Sequence, residues 1–455
     1  MRAFDDADPA VVWGLGTRGG GAAAVRQLAR QGFGVTVVDR ATEADLEETL
    51  ATLPDGVTLR LGEDDPTPYL TPDATLVVNP AVPPSHAAWP GVRAGGCRLT
   101  SPLGLLLREL VRRPVVAVTG SNGKSTLTAW AANALNAVGV PATVGGNFEC
   151  DLVGLEPLPD RLESLPRGTV FVLELSSFQL AYLFDDPFAP QVGVVTNCTP
   201  NHLDWHGTFE AYADAKATVL RRATESRVPP IPPDDPLRRR FWPDIHRAVP
   251  SAVGSKPDGP DDWPPHVREL TGMVRWIVSE FAEGISDEAL AAARPALPHR
   301  FQTVREDRAA GGLRWVDDSA ATTPESVAAA LDRCGEPPVL ILGGRNKGFD
   351  LDALAREVAP RCEAVATIGE TAGDLAKLIA VHGGKVRSHR TLAKAVKWSG
   401  KVCRFGGTVL LSPGMASADL FRDYRHRGRE FARLAGQSRG PAESAQAADS
   451  PRPMQ

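Results

Sequence analysis

The residues best suited to chemistry stand eight in a row: Thr119, Gly120, Ser121, Asn122, Gly123, Lys124, Ser125 and Thr126. They follow the apolar run Val115-Val116-Ala117-Val118 and lead into a helix-compatible run, Leu127 to Ala137. A strand, a glycine-bearing turn and a helix start make a phosphate cradle. Backbone N–H groups point into the turn, and the helix dipole adds partial positive charge. In such a cradle Gly120, Ser121, Asn122, Gly123 and Thr126 surround the phosphates, Lys124 reaches the terminal ones, and the Ser125 hydroxyl ligates Mg²⁺. The general pattern asks for a glycine where Val118 stands, so only its Gly-Lys-Ser-Thr core is present. A glycine turn without a ligand is the alternative; the strand–turn–helix context points to ATP.

Other groups are ambiguous one by one. Glu174 follows the apolar run Thr169–Leu173 and heads Glu174-Leu175-Ser176-Ser177-Phe178-Gln179. A carboxylate there holds Mg²⁺ across from a phosphate loop or caps a helix. The run Asn197 to Gly207 contains His202, Asp204 and His206, which either ligate a metal or pack a loop. Lys216 reads by itself as a solvated helix lysine. A second glycine turn, Gly14 to Gly19 with Gly16, Thr17 and Arg18, lies between the strand Val11-Val12-Trp13 and a helix from Ala22 to Gln31. Asp39 ends the next strand at the usual distance for a ribose or base contact, with Arg40 after it. Such a turn binds NAD, FAD or nothing.

These groups need a scaffold. At 455 residues the chain is long enough for about three domains. Strands and helices alternate: a strand Thr75–Val78 ends at Asn79-Pro80, and another is expected over Val192–Thr196. Beyond Arg112-Arg113 and near Leu297 the pattern restarts, with strands expected at Leu313–Val316, Pro338–Leu342, Ala364–Ile368 and Thr408–Leu411. The reading is α/β throughout, with boundaries at 1–113, 114–297 and 298–436 and a disordered tail at 437–455. Residues 227–265 are rich in proline and read as irregular, and an amphipathic helix follows with Val267, Leu270, Val274, Ile277, Val278 and Phe281 on one face. A net charge of −5 argues against a nucleic-acid partner. Six scattered cysteines without a CxxC pair, no export signal and no apolar run of membrane-span length fit a cytoplasmic protein.

Taken in order, the motifs resemble those of the Mur ligases of peptidoglycan synthesis, and among them the branch that adds D-glutamate to UDP-N-acetylmuramoyl-L-alanine. The resemblance rests on TGSNGKST, Gly145-Gly146-Asn147, ELSSFQL, the NHLDWHG segment, Leu297 to Phe301, Gly343 to Lys347, and Ser412-Pro413 with Ala416 to Asp419. It implies an N-terminal Rossmann-like UDP-binding domain, a central P-loop ATPase-like parallel-sheet domain and a C-terminal Rossmann-like domain that brings the amino acid. It implies that the first glycine turn, through Gly16, Thr17 and Arg18, holds the UDP diphosphate, with Asp39 and Arg40 toward uracil and Asn79 in the same site. Asn147, Ser176 and Gln179 would touch the muramoyl substrate. Lys124 and Arg300 would offset charge on the γ-phosphate, and Asp318 would contact the ATP ribose. Ser125 and Glu174 would hold one Mg²⁺; His202 and a carbamylated Lys216 would hold a second. Lys347, Ser417 and Tyr424 would hold glutamate in a protein expected to be monomeric. Three features depart from that pattern. Ala320 stands where a lysine is usual, His266 to Leu270 lacks the usual asparagines, and the segment between Lys216 and Leu297 is short. They keep open a ligase for L-glutamate or another amino acid, and a paralogue that binds the nucleotide sugar without ligating.

Overall fold

The computed structural model describes residues 9–16, 19–227, 265–307 and 312–437. Asp5, Asp6, Asp8, Thr17, Arg18, the proline-rich stretch from 228 to 264 and the tail from 438 lie outside the described residues. The chain divides into two compact units, Met1–Pro295 and Ala296–Gln455.

The first unit contains two five-stranded sheets. One is built from β1 (Pro9–Trp13), β2 (Gly34–Asp39), β3 (Thr58–Leu61), β4 (Thr75–Val78) and β5 (Arg98–Thr100), in the order β3-β2-β1-β4-β5 with every pair parallel. The order reverses at β1, which opens a crevice beyond its C-terminal end. The other comprises β6 (Val115–Thr119), β7 (Ala142–Gly146), β8 (Val170–Glu174), β9 (Val192–Val195) and β10 (Glu225–Arg227), in the order β10-β9-β6-β8-β7, again all parallel. Helices cover both faces, so the central strands are apolar without alternation: Val115, Val116, Ala117 and Val118 are at most 6% exposed. The expected amphipathic helix forms over Pro265–Ser279 and buries Val267, Val274, Ile277 and Val278, while Leu270 and Phe281 are half-buried.

The two sheets are joined by charge as well as by apolar packing. The Asp186 side chain is fully buried. One of its oxygens accepts from Arg108 Nε at 3.0 Å and from a terminal nitrogen of the same guanidinium at 2.7 Å, and the Thr100 hydroxyl donates to the carboxylate at 2.9 Å. Thr100 ends β5 and Arg108 lies on the helix Pro102–Glu109, so both belong to the first sheet's layer; Asp186 lies between β8 and β9. Gly104 abuts Asp186 so closely that a side chain there would overlap its carboxylate. A second link runs from Arg26 and Arg30 of the helix Gly20–Arg30 to Asp160, at 2.6 and 3.0 Å.

The second unit holds a six-stranded mixed sheet of β11 (Gln302–Asp307), β12 (Leu313–Asp317), β13 (Val339–Leu342), β14 (Ala364–Thr367), β15 (Val386–Ser388) and β16 (Thr408–Leu411). Its order is β11-β12-β16-β13-β14-β15, and β11 is antiparallel to β12. Alternate residues feed two cores: Val316, Leu340 and Leu410 pack on one face, Trp315, Ile341 and Leu411 on the other.

Candidate functional site

The phosphate loop leaves β6 at Thr119. Gly120 (φ 148°) and Gly123 (φ 81°) take conformations that favour glycine, and a side chain at Gly120 would overlap the Thr196 hydroxyl. The loop is braced by the segment after β9. Asn122 N–H donates to Asn197 Oδ1 at 2.9 Å, while Thr196 Oγ1 and Asn197 Nδ2 donate to the Asn122 carbonyl at 2.5 and 3.1 Å. The Ser121 hydroxyl accepts from Thr199 N–H at 2.9 Å, donates to the Thr199 carbonyl at 3.0 Å and lies 2.8 Å from the Tyr212 hydroxyl. Ser121 is thus a brace of the loop as much as a lining residue. Asn197, Thr196 and Tyr212 are loop-bracing residues that sequence reasoning missed; their only signal was position at a strand end or one helical turn before Lys216. The helix Lys124–Ala137 starts on Gly123, in the left-handed conformation, with no acidic residue in its first turn, so its N-terminal dipole is left for an anion. Lys124 Nζ folds back onto the Ser121 carbonyl at 2.8 Å. Ser125 is buried at the first turn.

Two charges lie beneath this loop. Glu174 is the last residue of β8 and 3% exposed. Its Oε1 accepts from Asn147 Nδ2 at 3.2 Å, while Oε2 is buried with no hydrogen-bond partner. A buried carboxylate oxygen left unanswered is costly, and it fits a hard cation. Glu174 does not cap a helix; that role falls to Ser176, whose hydroxyl accepts from Gln179 N–H while Gln179 Oε1 accepts from Ser176 N–H at 3.0 Å. Lys216, on the helix Phe209–Arg222, is 2% exposed, unlike an ordinary helix lysine. Its Nζ donates to the Gly120 carbonyl at 2.7 Å and sits 4.6 Å from the Tyr212 ring centroid. Burial, and then the neighbouring Lys124 charge, hold its amine well below the usual lysine range.

His202 is half-buried, has φ 55° and heads the short helix Leu203–His206; its ring meets the Phe178 ring edge-on. His206 Nε2 lies 2.9 Å from the Ser177 hydroxyl, and burial lowers its imidazole to about 4, so it is neutral at pH 7. Among the described residues no three His, Cys, Asp or Glu side chains form a ready metal cage. A cation here would need oxygens from the nucleotide and from a modified Lys216 to complete its shell.

The first glycine turn is built differently. Asp39 Oδ2 accepts from Leu15 N–H at 2.7 Å and Gly16 N–H at 3.1 Å, and Oδ1 accepts from Ala41 N–H at 2.8 Å. Asn79 Nδ2 donates to the Gly14 carbonyl at 2.9 Å and its Oδ1 accepts from Ala81 N–H at 2.9 Å. Asp39 and Asn79, expected in the nucleotide-sugar site, thus clamp the turn that would carry it. Arg40 beside them is exposed.

In the second unit, Arg300 stands between His299 (φ 61°) and Phe301 (φ 53°). His299 Nδ1 lies 2.6 Å from Asp317 Oδ2. Asp318 accepts from Phe301 N–H and from the Ser412 hydroxyl, both at 2.9 Å, and burial pushes its carboxyl up to about 7. Arg345 and Ala416 exchange two backbone hydrogen bonds, at 2.9 and 3.1 Å, bringing the Gly343–Lys347 loop beside Ser417. Tyr424 opens the helix Tyr424–Gln437, and its carbonyl accepts from the Ser319 hydroxyl at 2.7 Å. The loops carrying Asp318, Lys347, Ser417 and Tyr424 thus lie beyond the C-terminal ends of the adjacent strands β12, β16 and β13.

Comparison with known proteins agrees with this layout. Residues 118–256 match the Mur ligase middle domain, and residues 299–414 match the Mur ligase, glutamate ligase domain. A UDP-N-acetylmuramoylalanine--D-glutamate ligase from Rubrobacter xylanophilus is 36% identical, covering 94% of this chain and 98% of that protein. One of the same name from Symbiobacterium thermophilum is 33% identical, covering 90% and 94%. Among solved structures, the MurF ligase of Thermotoga maritima in complex with ADP shares the fold at 16% identity and a TM-score of 0.59, covering 97% of this chain and 98% of that one.

Proposed function

The chain belongs to the Mur ligase family, and on that premise we propose that it joins D-glutamate to UDP-N-acetylmuramoyl-L-alanine with conversion of ATP to ADP and phosphate. A carboxylate does not react with an amine unaided. Transfer of the γ-phosphoryl group to the terminal carboxylate of the nucleotide-sugar substrate makes an acyl phosphate; the glutamate amine attacks its carbonyl carbon, loses a proton, and phosphate leaves from the tetrahedral intermediate. Such chemistry depends on positioning and charge neutralisation more than on a covalent nucleophile.

In this reading Lys124 leaves the Ser121 carbonyl for the terminal phosphates, and Arg300 adds a second positive charge. Gly120 to Thr126 hold the phosphate chain and Asp318 the ribose. Ser125 and Glu174 hold one Mg²⁺, and His202 with carbamylated Lys216 a second; when bound, the ions neutralise phosphate charge and orient the carboxylate. The unpartnered Glu174 oxygen supports the first site. The placement of Lys216 supports the second: its Nζ is buried against the Gly120 carbonyl at 2.7 Å, and an unprotonated amine there would add to CO₂, lose a proton and become an oxygen-bearing anion suited to a hard cation. Asn147, Ser176 and Gln179 hold the muramoyl end, the Gly16 turn with Thr17 and Arg18 holds the diphosphate, and Lys347, Ser417 and Tyr424 hold glutamate. We place the reaction in the cytoplasm, with the protein monomeric; no helix among the described residues is long and apolar enough to cross a membrane.

The observation that carries the reading is Lys216, wholly buried beneath the phosphate loop and bonded to its Gly120 carbonyl. The test is phosphate release from ATP and UDP-N-acetylmuramoyl-L-alanine. It should require D-glutamate and be poor with L-glutamate; no response to any amino acid would overturn the ligase assignment.

A further inference from the structure

Phe178 has no part in the steps above, yet it is the hub of the aromatic groups around His202. It lies on the helix Ser177–Ala181, just beyond the strand that ends in Glu174. Its ring meets three rings of the segment after β9: His202 edge-on with centroids 4.6 Å apart, Trp205 edge-on at 4.9 Å and His206 stacked at 5.5 Å. These are the separations at which aromatic pairs attract with a preferred orientation.

The segment cannot orient His202 through its backbone alone. His202 is a non-glycine residue in the left-handed region, at the head of a helix of four residues, and its carbonyl accepts from Trp205 and His206 N–H at 3.1 and 3.0 Å. That single turn sets where the Cα sits; the ring itself packs against Phe178, with Tyr212 farther off at 6.4 Å. Phe178 is its nearer ring partner, and it is backed by further rings. Trp205 touches Tyr182 at 5.5 Å, Tyr182 touches Trp89 at 5.7 Å, and the Tyr182 hydroxyl donates to the Val82 carbonyl at 2.7 Å.

We propose that Phe178 is the positioning residue of His202: its ring fixes the imidazole relative to Glu174, so that the ends of β8 and β9 present their cation-binding groups as one unit. This rests on the reading of His202 as a cation ligand. In this assignment Phe178 acts through the histidine.

The test uses the full-length protein with ADP and Mn²⁺ as the probe, bound and free ion being separated by electron paramagnetic resonance. Phe178→Leu should weaken the more weakly held Mn²⁺ at least fivefold and lower kcat by a similar factor, with KM for ATP within twofold and the melting temperature little changed. Phe178→Tyr, which keeps the ring, should restore Mn²⁺ affinity to within twofold. Wild-type Mn²⁺ binding in Phe178→Leu, while His202→Ala weakens it, would overturn the proposal and leave the reading of His202 standing. Unchanged Mn²⁺ binding in His202→Ala would overturn that reading and the proposal with it. If Phe178→Leu does not fold, Phe178→Met decides in its place.

Discussion

Two glycine turns, at Gly14–Gly16 and at Gly120–Gly123, look alike in sequence and differ in electrostatics. Each follows a buried parallel strand and precedes a helix. At the first, the protein answers its own polar groups: Asp39 caps two N–H groups of the turn and Asn79 takes a carbonyl. At the second, a carboxylate oxygen of Glu174 and an amine of Lys216 are buried with their charge only partly met. A turn completed by its own chain has its polar groups satisfied before any ligand arrives. A turn with buried charge left over holds free energy that only ligands release. Under the proposed function, the contrast is that between a binding element and a reacting one.

The largest expected effect tests the reacting turn. Lys124→Ala should lower phosphate release roughly 10³-fold, the order seen when a preorganised charge-stabilising group is removed, with the fold intact by circular dichroism. Retained turnover would remove the phosphate-cradle assignment.

Next, Lys216 should oppose stability while serving activity. Lys216→Met should be nearly inactive yet more stable by about 1 kcal/mol or more in CO₂-free buffer, since it replaces a poorly compensated buried amine by a hydrophobe. The sign also shows in pH. The folded pKa lies well below 10.5 and the unfolded one near it, so between them the unfolded chain binds more protons and wild-type stability should rise with pH; in Lys216→Met that rise should shrink. A variant less stable than wild type at pH 7 would break the contrast. Lys216→Ala should regain part of its turnover with millimolar short carboxylates if a carbamate is the working group.

Asp39 should behave in the opposite way. Asp39→Ala leaves two turn N–H groups without an acceptor and should cost about 1–3 kcal/mol in chemical denaturation. It should raise KM for the nucleotide sugar more than it lowers kcat. Unchanged stability would mean that the clamp is not needed.

The smallest effect concerns Asp318, whose carboxyl is raised to about 7 by burial. A raised folded pKa contributes stability below the unfolded value near 3.8, and that contribution is lost as pH climbs through 7. Asp318→Asn should therefore gain a degree or two of melting temperature over wild type at pH 8 and none at pH 4.

These differences mark what could be seen in the sequence. The Gly-Lys-Ser-Thr loop was legible because its chemistry is local: strand, turn and helix start lie within a dozen residues. Strands such as Thr75–Val78 and Thr408–Leu411 were legible because burial on both faces makes them continuously apolar. The antiparallel β11 was not, since its place comes from pairing with β12 rather than from its own polar run Gln302–Asp307. Nor did β7 stand out, ending in two glycines that close packing demands: Gly145 sits against Leu158, with a side chain's first carbon 3.0 Å from Leu158 Cβ. Lys216 read as solvated because its burial comes from the loop folded over it. The clamping by Asp39 and Asn79 was not legible, because a sequence does not show that a carboxylate or amide also faces its own backbone.

The buried Asp186 has an evolutionary corollary. Its partners Thr100 and Arg108 come from one sheet's layer and its backbone from the other, so neither layer is a cassette. A chimera that exchanged residues 9–113 for a foreign nucleotide-sugar module would inherit an aspartate stranded in apolar surroundings unless the donor brought its own arginine and a glycine to lie against it. Shuffling within this half of the protein is confined to donors that carry that pair.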